Sequence, residues 1–183
     1  MKLVQLVSSK FQPQRITKEP LAEGVHAKLR EEVFELLRAN NTNPLYSMLN
    51  TQSDSIIPIL GEAVASPEFN EHQKFSAVSL IGFCIEQYHS SQRAPYAIPE
   101  LFKALLNENE KVNGEAQRRL NGAAWRPDQK LRELILTGFY CMMNSDEFRV
   151  LSEKNSKQYT RLVWVLNALV GIINSEMKKE ATA

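Results

Sequence analysis

The residues of this chain best equipped for chemistry lie between Ala116 and Arg132. Five cations, Arg118, Arg119, Arg126, Lys130 and Arg132, stand there against a single acid, Asp128, with Trp125 in their middle. Guanidinium and ammonium groups beside an indole can follow a phosphate backbone while the ring stacks on a base, or can clamp an acidic protein partner. A third reading is structural: Trp125 plugs a junction between helices, and the arginines form a solvated face with snorkelling stems. Charge is unevenly spread along the chain. Residues 1–115 carry 11 Lys and Arg against 14 Asp and Glu, residues 116–183 carry 11 against 7, and the whole has a net charge of +1. Such asymmetry marks a partner surface or arises by chance.

Other constellations point away from catalysis. His26, His72 and His89 show no His-Glu-x-x-His spacing, and each sits among polar residues that read as solvated helix faces, so no metal is expected. Cys84 and Cys141 lie in the apolar settings Gly-Phe-Cys-Ile and Phe-Tyr-Cys-Met with no Cys-x-x-Cys. Buried free thiols in a reducing compartment are the favoured reading, with one disulfide as the other option. Cys84 stands 12 residues from His72 and 5 from His89, spacings that do not share a helix face. Glu31, Glu32 and Glu35 flank Arg30 and Arg38, which reads as surface ion pairing and not as acid–base work. There is no glycine-rich phosphate loop. No catalytic residue, cofactor or enzymatic activity is therefore expected.

These side chains need elements to hold them, and the periodicity supplies helices. At 183 residues, 43% hydrophobic and 23% charged, the chain fits one globular domain, and seven glycines are few for an all-β protein. Leu3-Val4-Gln5-Leu6-Val7 is too short for a signal-peptide core, and no run reaches the ~20 apolar residues of a membrane span, so a cytoplasmic, soluble protein is expected. Residues 1–22 read as an arm, 23–177 as one α-helical domain and 178–183 as a disordered tail. Helices are expected over Gly24 to Ala39, Pro44 to Leu49, Ile56 to Ala65, Asn70 to Ser90, Ile98 to Leu106, a partner capped by Asn109 and ended at Asn121-Gly122, Pro127 to Met143, Ser145 to Leu151, and Gln158 to Met177. Ser66-Pro67 reads as a further cap with a first-turn proline, and Ser91 to Pro95 as linker. Gly82 would permit close approach of a neighbouring helix. The last helix is apolar nearly all round, apart from a stripe of Thr160, Asn167, Gly171 and Asn174, and so reads as buried on most sides.

Ala97-Ile98-Pro99-Glu100-Leu101-Phe102-Lys103-Ala104-Leu105-Leu106, followed by Val112, Ala116, Leu120 and Gly122, resembles one unit of a HEAT repeat of the bilin-lyase-like type. A looser copy begins 41 residues earlier, where Ile57-Pro58-Ile59-Leu60 matches Ile98-Pro99-Glu100-Leu101. The resemblance covers about a third of the chain. It implies an all-α fold of stacked antiparallel helix pairs, a right-handed α-solenoid in which a proline opens the first helix of each unit; the other reading is a compact, non-repeating bundle of about seven or eight helices. It also implies a non-enzymatic, macromolecule-binding role as an adaptor, inhibitor or immunity-type protein that presents a helical face to a protein partner. Nucleic-acid binding through residues 118–132 is the alternative. The chain is expected to be a monomer, or a homodimer through the C-terminal helix, with the arm, the short helix at 145–151 or a second copy covering that helix.

Overall fold

The computed structural model describes residues 23–86, 90–154 and 157–182; the expected arm at 1–22 lies outside the described residues, as does His89. Eight helices make up the described residues: α1 Glu23–Arg38, α2 Asn43–Ala65, α3 Glu71–Glu86, α4 Ser90–Leu105, α5 Glu110–Ala124, α6 Gln129–Met143, α7 Asp146–Glu153 and α8 Lys157–Thr182. The fold is all-α, with no strand among the described residues.

Local chemistry sets most of the helix ends. In α1, Leu29, Val33, Phe34 and Leu37 are buried at three-to-four-residue spacing, while Val25 is 54% exposed and lies off the core. Asn40 ends α1 in the left-handed region (φ 53°). The Asn40 amide donates to Leu37 and the Asn41 amide to Leu36, which together satisfy the last carbonyls in a Schellman arrangement. Asn70 and Gln73 cap α3 reciprocally, each side-chain oxygen accepting from the other's backbone N–H at 3.0 Å. Asn109, Asp128 and Ser145 cap α5, α6 and α7 through their side chains.

Several expectations are corrected. Two helical segments fill Asn43 to Ala65 as expected, but a single non-helical residue, Gln52 (φ −138°, ψ 38°), separates them instead of the gap from Leu49 to Ile56, and Thr42 occupies the N-cap of the first. Ser66-Pro67 forms a turn, not a helix start. The stretch from Ser91 to Pro95 is helical, because Ala94, Ala97, Ile98 and Leu101 are buried at helical spacing and their packing outweighs the two prolines inside α4. Pro58 and Pro99 therefore lie within helices and do not open them. Gly122 does not end α5, which continues to Ala124 with no glycine at positive φ. The C-terminal helix continues past Met177 to Thr182. It buries one face only: Leu162, Val165, Leu166, Leu169 and Ile173 are buried, whereas Trp164 is 65% exposed.

Each helix from α1 to α4 packs against the next in sequence and the next but one, α5 packs on α6, α6 on α7, and α8 rests on α5, α6 and α7. The next-but-one neighbours α3 and α5 run parallel: Asn109 reaches Glu71, Ser79 reaches Glu115 and Arg119 reaches Glu86. The same holds for α5 and α8, where Glu110 pairs with Arg161 and Lys179 lies over Trp125. Two layers result, α2, α4 and α6 in one and α1, α3, α5 and α8 in the other, with α7 as a short connector. At Gly82 the side chain of Arg119 from α5 lies against the backbone of α3, in the space that a Cβ would fill.

Candidate basic surface around Trp125

Arg119 crosses α3 over Gly82, its side chain 14% exposed, and splits its guanidinium between two carboxylates. Its Nε donates to Glu115 at 2.8 Å, and its terminal nitrogen pairs with Glu86. Glu115 is the centre of this network. Only 3% of its side chain is exposed, and it also accepts from Ser79 at 2.7 Å and twice from Arg118 at 2.8 Å. Burial alone would raise the Glu115 carboxyl, but the bonds from Arg118, Ser79 and Arg119 outweigh it and hold the group at about 2.

Two further arginines close helix ends. Arg126 donates to the Ile85 carbonyl in the last turn of α3 at 2.9 Å. Arg132 is 1% exposed, so it is not a surface residue; its guanidinium donates to Ala124 at 3.2 Å and Arg126 at 2.6 Å, bracing the α5–α6 turn from inside. A carboxylate oxygen of Glu176 on α8 lies 3.9 Å away. A planar fork suits this double duty, since both acceptors are carbonyls at the C-terminal end of α5.

Trp125 is the C-cap residue of α5 and is 53% exposed, so it does not plug a junction between helices. The Nζ of Lys179 stands 5.8 Å from the ring centroid. Lys130 and Arg118 are exposed on the elements either side of the turn, and Lys178 on α8 is exposed as well. The six residues singled out in the sequence thus divide. Arg119, Arg126 and Arg132 hold the scaffold, while Trp125, Lys130 and Arg118 face outward, Arg118 being 61% exposed at its side chain although paired to Glu115. The structure adds Lys179, which 54 residues of sequence separate from Trp125. Its only advance signal is that the helix register of α8 carries on past Met177.

Elsewhere the sites are modest. A shallow cleft of about 210 Å³ between α2 and α4 is lined by Gly61, Val64, Glu100, Lys103 and Ala104, and Glu100 is tied to Lys103 at 2.8 Å. Cys84 is buried, and burial pushes its thiol up to about 12, so it stays protonated and unreactive near neutral pH. Cys141 is exposed, contrary to expectation, and neither cysteine is bridged. Arg30 pairs with Glu62, and Arg38 with Glu31 and Glu68, so of the acidic cluster on α1 Glu31 is the residue shown in an ion pair, the other two partners lying outside α1. Among the described residues no group of three or more His, Cys, Asp or Glu side chains is placed to hold a metal ion, and no helix is long and apolar enough to cross a membrane. Compared with family models, curated proteins and solved structures, the chain has no match.

Proposed function

We propose that the chain is a non-enzymatic protein-binding module, an adaptor or inhibitor of HEAT-like build, which presents the surface around Trp125 to an acidic protein partner. The parallel contacts between α3 and α5 support the repeat reading, as does the 41-residue offset, which aligns Ile57–Leu60 of α2 with Ile98–Leu101 of α4 and carries α3 onto α5 to within three residues. The observation that carries the function is the half-exposed Trp125 at a helix end whose turn is braced by a buried arginine, with Lys179 over its ring and Arg118 and Lys130 exposed on the helices before and after the turn. A rigid aromatic anchor with a cationic rim is the pattern of an interface hot spot, where the ring supplies contact area and the charges supply steering.

Nucleic acid fits less well. A salt-sensitive backbone track neutralises several phosphates, on the order of six to ten in strong binders. Three of the five cations of the 118–132 stretch are turned inward onto carboxylates and carbonyls. The test is a nuclease-treated capture from the source organism's extract by the wild-type chain and by W125A/K130E, followed by titration of a Leu/Glu-alternating peptide and of single-stranded DNA. The expected result is a protein retained by the wild type and lost from the variant, with the peptide binding more tightly than the DNA. Equal retention by both chains overturns the assignment to this surface, and tighter, steeply salt-dependent DNA binding moves it to the nucleic-acid class.

A further inference from the structure

Asparagine followed by glycine occurs at Asn113-Gly114 and at Asn121-Gly122, and both pairs lie in α5. A glycine with no Cβ leaves its amide nitrogen open to the asparagine side chain, so this dipeptide is especially prone to cyclise. A closed helix prevents it. The glycine N–H is spent on the carbonyl four residues before it, and helical backbone angles hold that nitrogen away from the side-chain carbonyl carbon. Cyclisation therefore needs local opening, and its rate reports how readily each turn opens.

The two turns are held differently. Asn113 is 7% exposed, and its side-chain amide donates to the Asn107 carbonyl at 3.0 Å. The start of its helix is capped by Asn109, whose side chain accepts from the amides of Lys111 and Val112. Asn121 has no such tie: its Oδ1 is buried with no hydrogen-bond partner among the described residues. A buried acceptor without a donor destabilises the closed form, and unwinding returns it to water. Gly122 is exposed, with nothing within 4 Å of where a Cβ would be, and α5 ends soon after it at Ala124.

We propose that Asn121 is a site of self-modification, converting to an isoaspartyl residue through a succinimide with Gly122, while Asn113 in the same helix stays largely intact. The Gly122 amide nitrogen attacks Cγ of Asn121 and loses its proton; the N–Cγ bond forms, the Cγ–Nδ2 bond breaks, and ammonia leaves with that proton. Water then adds across either of the imide C–N bonds, giving isoaspartate or aspartate, so water is consumed, ammonia is released and nothing is oxidised. Isoaspartate lengthens the main chain by a methylene and places a carboxylate in the last turn of α5. Trp125 donates its N–H to the Asn121 carbonyl at 3.2 Å, and Arg132 holds the carbonyls of Ala124 and Arg126. The added methylene shifts these bonds out of register. The consequence for binding rests on the reading of Trp125 as the docking surface: modification of the turn beneath it switches that surface off.

Peptide mapping of the full chain aged in warm, mildly alkaline buffer, with and without urea, tests this, with isoaspartate read by methyltransferase labelling. In the native chain Asn121 should convert on the order of tenfold faster than Asn113, and in urea the two should convert at like rates. Gly122→Ala should slow conversion at Asn121 several-fold even in urea, where no helix protects it; in the native chain alanine fits the open space and favours the helix, so this variant keeps the fold. Equal rates at the two sites in the native chain overturn the inference, and so does an Asn121 that stays intact there while the chain in urea converts fully. Aged wild type should lose the protein that the fresh chain captures, and aged G122A should retain it. If aged wild type bearing isoaspartate at Asn121 still captures that protein, the role given to Trp125 fails and the modification site stands.

Discussion

A carboxylate almost wholly removed from water costs several kcal/mol unless its oxygens are bonded to donors of opposite charge. Glu115 meets that condition with four bonds from three side chains, and its carboxyl sits at about 2 against an ordinary 4.5. The folded value lies below the unfolded one, so the pairing stabilises the fold fully above pH 4.5 and is lost as pH falls toward 2. Glu115→Gln should therefore lower stability at pH 7 by about 3 kcal/mol, and the gap to wild type should shrink steadily between pH 4.5 and 2.5. Urea unfolding at a series of pH values checks it; a gap that stays constant over that range would show that charge is not what Glu115 contributes. In the sequence, Glu115 with Arg118 and Arg119 at i+3 and i+4 looks like an ordinary surface ion-pair ladder. What buries it is Gly82 on α3, 33 residues away, which lets Arg119 lie flat across the neighbouring helix. Gly82 was legible as a close approach; the side chain that would use it was not, because nothing local in the Gln117-Arg118-Arg119-Leu120 run tells one arginine from the other. Arg132 carried no signal at all, since an arginine one residue after a buried leucine is solvated in most helices.

At the level of the element, helix starts were readable wherever a short polar side chain caps its own backbone. Asn70, Asn109, Asp128 and Ser145 all do so, and each needs only residues within three positions. Helix interiors were harder when propensity and packing disagreed. The prolines of α4 argue for a linker, yet the buried faces of Ala94, Ala97, Ile98 and Leu101 pull the segment into a continuous helix. That continuity has a cost, because Pro99 has no N–H for the Pro95 carbonyl four residues before it. Pro99 is exposed and touches the solvent side of the helix. Pro99→Ala is expected to stabilise the chain by roughly 1–2 kcal/mol, the recovered bond and relieved ring contact exceeding the entropy that alanine returns to the unfolded chain. A midpoint in urea that falls on this substitution would mean that the rigidity of the proline ring outweighs the missing hydrogen bond in α4. The burial of α8 was misjudged for a different reason. An apolar run on all sides predicts neighbours on all sides, but the number of neighbours is a property of where a helix falls in the stack, and α8 falls last.

For the molecule as a whole, position in the stack also sets how firmly each helix is held. The helices α3 and α4 have neighbours before and after them in their own layer and across from them in the other, whereas among the described residues α8 leans on α5, α6 and α7 and α1 on α2 and α3. In an array of this kind stability is close to a sum of nearest-neighbour contacts, so opening should begin at the ends and not in the middle. Native-state hydrogen exchange is the measurement. Amides in the middle of α3 and α4 should exchange only through global unfolding, while those of α7 and α8 should open with a free energy lower by at least about 1.4 kcal/mol, a factor of ten in rate. If α8 exchanges as slowly as α3, the one-sided support seen here is not what limits its stability. The location of a weak end matters for binding. Trp125 closes α5 but is covered by Lys179 from α8, so opening of α8 removes one side of the proposed surface. A partner seated on Trp125 would bind only the closed form, and exchange of α8 amides should slow in proportion to how much of the chain is occupied. That slowing, absent for W125A/K130E at the same partner concentration, separates partner binding from simple end fraying, because fraying alone does not depend on the partner.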